Sequence, residues 1–201
     1  MKTIKLITLL VLAIMCSCTQ PDRCSNCSVP FYDYQLFLRI LDASGNNLVQ
    51  EMELDWTHPD QAEILGRIKT DLYTLDIVFP EPCMDIYEYH KHSGAYEPAE
   101  FVPILSLNIH DYYYYLALRT QSMILDWCPN PAEMLTFKLS CPDVFGDNAV
   151  HEIVTYWKEG NKPTNSRICY RIELDGIAFT EEITYEQYNQ ISRATVILES
   201  R

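Results

Sequence analysis

The sequence predicts an all-β protein, an antiparallel β-sandwich with at most one or two short helices. Three observations carry this expectation. Apolar residues recur with period two in many short runs, turn-forming residues punctuate those runs, and no helical segments alternate with them.

The first run begins at Phe31. Tyr32, Tyr34, Leu36, Leu38 and Ile40 alternate with Asp33, Gln35, Phe37 and Arg39, the pattern of a half-buried strand. Residues 42–47 are a turn by composition, and residues 48–54 are expected to return as the second strand of a hairpin. Tyr73, Leu75, Ile77 and Phe79 form the next strand, ended by Pro80 and Pro82. Leu105, Leu107 and Ile109 follow. After a break at His110 and Asp111, Tyr112, Tyr114, Leu116 and Leu118 share one face. Leu135, Phe137 and Leu139 come after the Pro129-Asn-Pro131 turn, then Ile153, Thr155 and Trp157. Ile168, Tyr170, Ile172 and Leu174 run to Asp175-Gly176, and Val196 and Leu198 close the pattern. Helix is scarce. Thr184 and Gln187 have capping-box spacing and predict one or two turns through Ile191. His58-Pro59-Asp60 opens a second short candidate toward Leu65, which Gly66 weakens.

The N-terminus has a different character. Lys2 and Lys5 precede an apolar run over residues 6–15, broken only by Thr8, and Cys16-Ser17-Cys18 follows. This is the layout of a secretory signal peptide, with an apolar part too short to span a bilayer. A cysteine at the end of such a segment resembles the lipobox of bacterial lipoproteins, where the signal is cut before a cysteine that becomes acylated. Cys18 is the expected lipidation site because the small Ser17 precedes the cut. Cys16 is the alternative, preceded less suitably by Met15. Residues 1–17 are then the signal, residues 18–30 a polar tether with two prolines, and residues 31–201 a single β-sandwich domain. Pro98 to Pro103 is where a division into two small β units would fall.

Charge narrows the partners. The chain carries 28 acidic and 15 basic residues, a net charge of −13. The signal holds two of those basic residues and no acid, so the mature chain is more acidic still. Such a surface repels phosphate backbones, and no basic run overrides it, so nucleic-acid binding is excluded. The acyl chain is left as the only membrane device.

Cys24, Cys27, Cys83, Cys128, Cys141 and Cys169 remain beyond the anchor, and an even number in an exported chain suggests disulfides. Strand phase places Cys141 inward with Leu139 and Cys169 outward with Arg171. That favours a Cys128–Cys141 bridge, with Cys83 going to Cys169 or to the Cys24/Cys27 pair. Cys24-Ser-Asn-Cys27 lacks the strand-then-helix context of a redox motif.

Catalytic signatures are missing. The six glycines are too widely spaced for a phosphate loop, a dinucleotide fingerprint or a Gly-x-Ser-x-Gly elbow, and His-Glu-x-x-His does not occur. His90 and His92, with Glu88, would share a strand face, but the neighbouring Ser93-Gly94 reads as an exposed loop, so no metal site is assigned. Turn chemistry accounts for the oxygen-rich segments 42–47 and 143–148, and no cofactor is expected. Paired carboxylates for glycoside hydrolysis need only a spatial gap, so a hydrolase is the last of the readings. Fourteen tyrosines are more suggestive. In Tyr112-Tyr-Tyr-Tyr115, Tyr113 and Tyr115 would face outward and make a platform for sugar rings or a partner protein.

Leu135-Thr-Phe-Lys-Leu-Ser-Cys-Pro-Asp-Val-Phe-Gly-Asp, His151-Glu-Ile-Val-Thr-Tyr-Trp, Cys169-Tyr-Arg-Ile-Glu and Thr184-Tyr-Glu-Gln-Tyr, with the signal, resemble small lipoproteins of Bacteroidetes. The resemblance covers about residues 130–201 and implies an envelope location, as an outer-membrane lipoprotein facing the periplasm or the outside, and an immunoglobulin-like fold. It carries over no functional residue. The expected function is a non-catalytic, lipid-anchored envelope protein presenting a binding surface, for glycan or protein. The alternative is a structural subunit of an envelope or pilus-like complex.

Overall fold

The computed structural model describes residues 31–55, 64–84, 103–123, 130–160, 165–179, 183–187 and 190–198. Over these the protein is all-β, with one helix of four residues. The strands are β1 (Phe31–Leu41), β2 (Leu54–Asp55), β3 (Ile64–Ile68), β4 (Thr74–Val78), β5 (Ser106–His110), β6 (Tyr113–Met123) and β7 (Met134–Ser140). After the helix α1 (Pro142–Phe145) come β8 (His151–Glu159), β9 (Ser166–Leu174), β10 (Ile177–Phe179), β11 (Thr184–Glu186) and β12 (Ile191–Ile197).

All twelve described strands join one hydrogen-bonded sheet in the order β2-β3-β5-β6-β1-β9-β8-β7-β4, with β10 on β9 and β11 on β12 beside it. The sheet is mixed, which corrects the antiparallel expectation. β1 lies antiparallel to β6 but parallel to β12 over Leu36–Leu41 and to β9 at Asp33 and Tyr34. One edge of β1 is thus shared, and β9 and β12 diverge from it. The sheet also curls on itself. Leu105, just before β5, donates its N–H to the Tyr73 hydroxyl, just before β4, at 3.0 Å, although β4 and β5 lie toward opposite ends of the strand order. Tyr34 in the middle of the sheet meets Phe79 edge-on at 5.8 Å.

The core fills that curl. Leu135, Phe137 and Leu139 on β7 and Ile153, Thr155 and Trp157 on β8 are all buried, as their alternation predicts. Among the described residues Trp157 is the largest fully buried side chain. Its Nε1–H donates to Thr155 Oγ1 at 2.7 Å, that hydroxyl donates to Leu135 O at 3.1 Å, and Tyr34 packs edge-on at 5.2 Å. A buried indole N–H is costly unless paired, and here it is paired.

Several local expectations give way to tertiary structure. Residues 48–51 form turns rather than a returning strand. The Asn47 side chain accepts from Val49 N–H and donates to Tyr114 O at 2.9 Å, while Val49 and Met52 plug into the core. Thr184–Glu186 is strand β11, paired with β12 from Thr184↔Arg193 to Glu186↔Ile191, and not the start of a helix. Ile64–Ile68 is likewise strand. The one helix lies elsewhere: Pro142 occupies its first turn, where a missing N–H costs nothing, and Gly146 ends it at φ 76°.

A register shift in β9 corrects the cysteine phase. Tyr156 pairs with Arg171 but the next residue, Trp157, pairs with Cys169, so Tyr170 is the extra residue of a bulge. The bulge switches parity: Cys169 points inward with Trp157, whereas Tyr170 and Arg171 are both exposed.

His151 pins the start of β8. It is buried and stacked on Phe145 at 4.0 Å, with Nδ1 2.8 Å from Asp175 Oδ2 and Nε2 3.0 Å from Asp147 Oδ1. Burial pulls its pKa down, but the two carboxylates outweigh burial and hold it above the ordinary value. An imidazolium satisfies both acceptors, whereas a neutral ring faces one of them with a lone pair. With the folded pKa raised, the clamp contributes fully below the unfolded value of about 6.5 and its contribution fades as pH rises through the folded pKa. Thermal melts across that range are expected to show stability falling with rising pH. His151→Gln is expected to remove that part of the dependence and to cost about 2 kcal/mol at pH 6.

Candidate functional site

Cys16, Cys18, Cys24, Cys27, Cys128, Glu88, His90 and His92 lie outside the described residues. Cys83 is disulfide-bonded, to a partner that is neither Cys141 nor Cys169, since both of these are free thiols. The Cys128–Cys141 and Cys83–Cys169 bridges are therefore overturned. Cys141 caps α1 from the core and Cys169 turns inward at the bulge, so both serve as small buried apolar groups. Burial pushes the Cys169 thiol up to about 12 and raises Cys141 as well. Alkylation at pH 8 is expected to leave both unlabelled in the native protein and to label both in denaturant, read by mass.

The tyrosine run is rearranged relative to the platform expected from sequence. His110 pairs with Tyr113, so the β5–β6 hairpin turns on Asp111 and Tyr112 alone. Tyr112 is thus a turn residue, 97% exposed. Tyr113 is 46% exposed and carries the Arg39 guanidinium 3.9 Å from its ring centroid. Tyr115 does share the outer face with Tyr113, but it is only 9% exposed and packs with Phe37, Ala117 and Ile191 in a second small apolar cluster. Tyr115 is therefore not part of a flat exposed platform.

That second cluster is roofed by arginines. Arg119 lies 4.9 Å and Arg193 6.0 Å from the Phe37 ring, and Arg193 pairs with Glu186 of β11. Planar guanidiniums stack on ring faces while keeping polar edges toward their partners. The outer face of β8 and β9 is built similarly, with Tyr156 bonded to Glu173 at 3.2 Å and covered by Arg171. Most tyrosine on these faces is sheet surface rather than site.

The exposed rings Tyr112 and Tyr113 line an open concavity of about 910 Å³. The 45–53 segment adds Asn46, Gln50, Glu51 and Glu53 to the same lining, together with Arg39 and Asp143. Hydrogen bonds tie the two segments together. The Asn47 amide bonds Tyr114 O across them, and Asp42 accepts from Ser44 N–H, Asn46 N–H and the Asn46 amide, each at 2.8 Å, with Gly45 at φ 85° completing the turn. These bonds hold the Asp42 carboxyl below its ordinary pKa, and turn chemistry accounts for this oxygen-rich segment. Sequence reasoning missed Tyr112 and Arg39. The only sequence signal was Asp111, a turn-favouring residue between two alternating runs; the β5–β6 register that puts Tyr112 in the turn is visible only in the structure.

Compared with known proteins, the chain matches no family model, no curated protein and no solved structure.

Proposed function

We propose that this chain is a non-catalytic lipoprotein of the bacterial cell envelope, held at the outer membrane through Cys18 and presenting a binding surface to a glycan or a protein. The binding part rests on one observation, the hydrogen-bonded concavity that gathers exposed aromatic rings with amide, carboxylate and guanidinium groups. Binding sites concentrate such convergent polar groups around apolar surface. The anchoring part is supported by the signal-like segment before Cys18 and by the acidic body. We read the curled sheet as an immunoglobulin-like sandwich that holds this surface away from the membrane.

A second reading, a structural subunit of an envelope or pilus-like complex, is favoured by a different feature. β10 pairs with β9 and β11 with β12, each on one side only among the described residues. Between these two short strands lies a groove lined by Ile168, Tyr170, Phe179, Ile183 and Tyr185. A strand from another subunit adds to an edge of this kind.

Protease shaving of intact native cells separates the readings. A surface that binds external ligands is expected to be shaved from intact cells. Protection until the outer membrane is opened, together with mass that grows with concentration, would favour the assembly subunit.

A further inference from the structure

Two hairpins in this molecule solve the same backbone problem with different residues. The β9–β10 hairpin turns on Asp175 and Gly176, at φ 51° and 79°. The β5–β6 hairpin turns on Asp111 and Tyr112, at φ 48° and 68°. A two-residue hairpin with both φ values positive is the type I′ turn, which selects Asn-Gly or Asp-Gly because the second position strains any residue with a Cβ. Asp175-Gly176 is that standard solution. Asp111-Tyr112 puts a bulky aromatic where glycine fits best, and the ring gains no burial in return, since Tyr112 is 97% exposed. Neither the turn nor the core asks for tyrosine there. Strained, locally costly choices of this sort concentrate at functional sites.

We propose that Tyr112 is a ligand-stacking residue and that the concavity it borders binds a neutral carbohydrate, a ligand class that rests on the binding-surface reading above. A pyranose offers an apolar C–H face and a rim of hydroxyls. Tyr112 offers a free ring face with two χ angles and little entropy to lose, and Asn46, Gln50 and Glu51 of the same lining offer donors and acceptors for the rim. Tyr113 carries the Arg39 guanidinium over one ring face and is less exposed than Tyr112, so Tyr112 is the ring with more free surface for stacking. Glu51, Glu53 and Asp143 on the lining outnumber its one cation, Arg39, whose guanidinium lies over the Tyr113 ring, so the charge balance disfavours anionic ligands.

The test uses the anchored full-length mature protein in a sugar-free polyoxyethylene detergent. Cello-, xylo-, manno- and malto-oligosaccharides are titrated calorimetrically into wild type, Tyr112→Gly and Tyr112→Phe, and each variant is melted. The expected result is binding of at least one oligomer, retained by Tyr112→Phe and weakened about tenfold by Tyr112→Gly. Tyr112→Gly is also expected to melt no lower than wild type, because glycine relieves the left-handed backbone. Equal binding by wild type and Tyr112→Gly would overturn this site while leaving glycan binding standing. Binding of none of the oligomers would overturn the ligand class and leave the envelope reading to protein partners. A lower melting temperature for Tyr112→Gly would make the ring a structural prop and overturn the assignment.

Discussion

Trp157→Ala is expected to destabilise the protein by about 3–5 kcal/mol, the largest single-residue effect in the described core. The indole is fully buried on β8, and its removal opens a cavity between Tyr34 and the Cys169 side of β9. A second loss compounds the first. Thr155 Oγ1 loses the donor that reaches it from Nε1, leaving a buried hydroxyl with one fewer partner. Trp157→Phe keeps most of the volume but not the N–H, so it is expected to fall between wild type and alanine. Urea denaturation checks both variants. An alanine variant within about 1 kcal/mol of wild type would mean that the curl of the sheet closes over the gap.

Cys18→Ser is expected to move the protein out of the membrane fraction almost completely, and Cys16→Ser to leave it there. Each acyl methylene buried in the bilayer is worth ~0.8 kcal/mol, so losing the acylated position removes an anchor that no surface contact replaces. The acidic body repels anionic headgroups, and among the described residues no helix is long and apolar enough to cross a membrane. Fractionation followed by immunodetection reads the outcome. If Cys16→Ser instead releases the protein, the alternative cysteine carries the lipid.

The fold class was legible because much of the sheet is regular. Along β7 and β8 the ladder runs antiparallel without interruption from Met134↔Tyr156 to Leu139↔His151, so every second residue is inside and simple alternation reads it. Legibility ended where a nonlocal feature changed the phase or covered the other face. The bulge at Tyr170 switched the parity of β9 and with it the orientation of Cys169. Phe37 looked outward by alternation, yet it is buried because Arg119 and Arg193 roof that face, which local sequence does not encode. Thr184 and Gln187 carry a genuine helix-start signal, but pairing with β12 satisfies the same backbone groups and wins. α1 was missed although Pro142 and Gly146 bracket it, because a single turn is too short to show periodicity.

The candidate site was the least legible part. Leu116 and Leu118 set the phase of the tyrosine run, and Tyr113 and Tyr115 do share the outer face, but alternation cannot say where the strand starts or which residue is in the turn. One position of error moved Tyr112 from a fully exposed turn to an inward strand position and hid its contrast with Asp175-Gly176. The 45–53 part of the lining was obscured for a related reason. Residues 48–54 alternate well enough to be read as a strand, and only the Asn47 bond to Tyr114 O reveals that they brace a concavity.

The most direct test of the anchored-envelope account is the intact mass of the protein purified from its native membrane. We expect a chain that begins at Cys18 and carries the added mass of acyl groups on that residue. A mass for the unprocessed chain, or for a shorter chain without acyl mass, would contradict it.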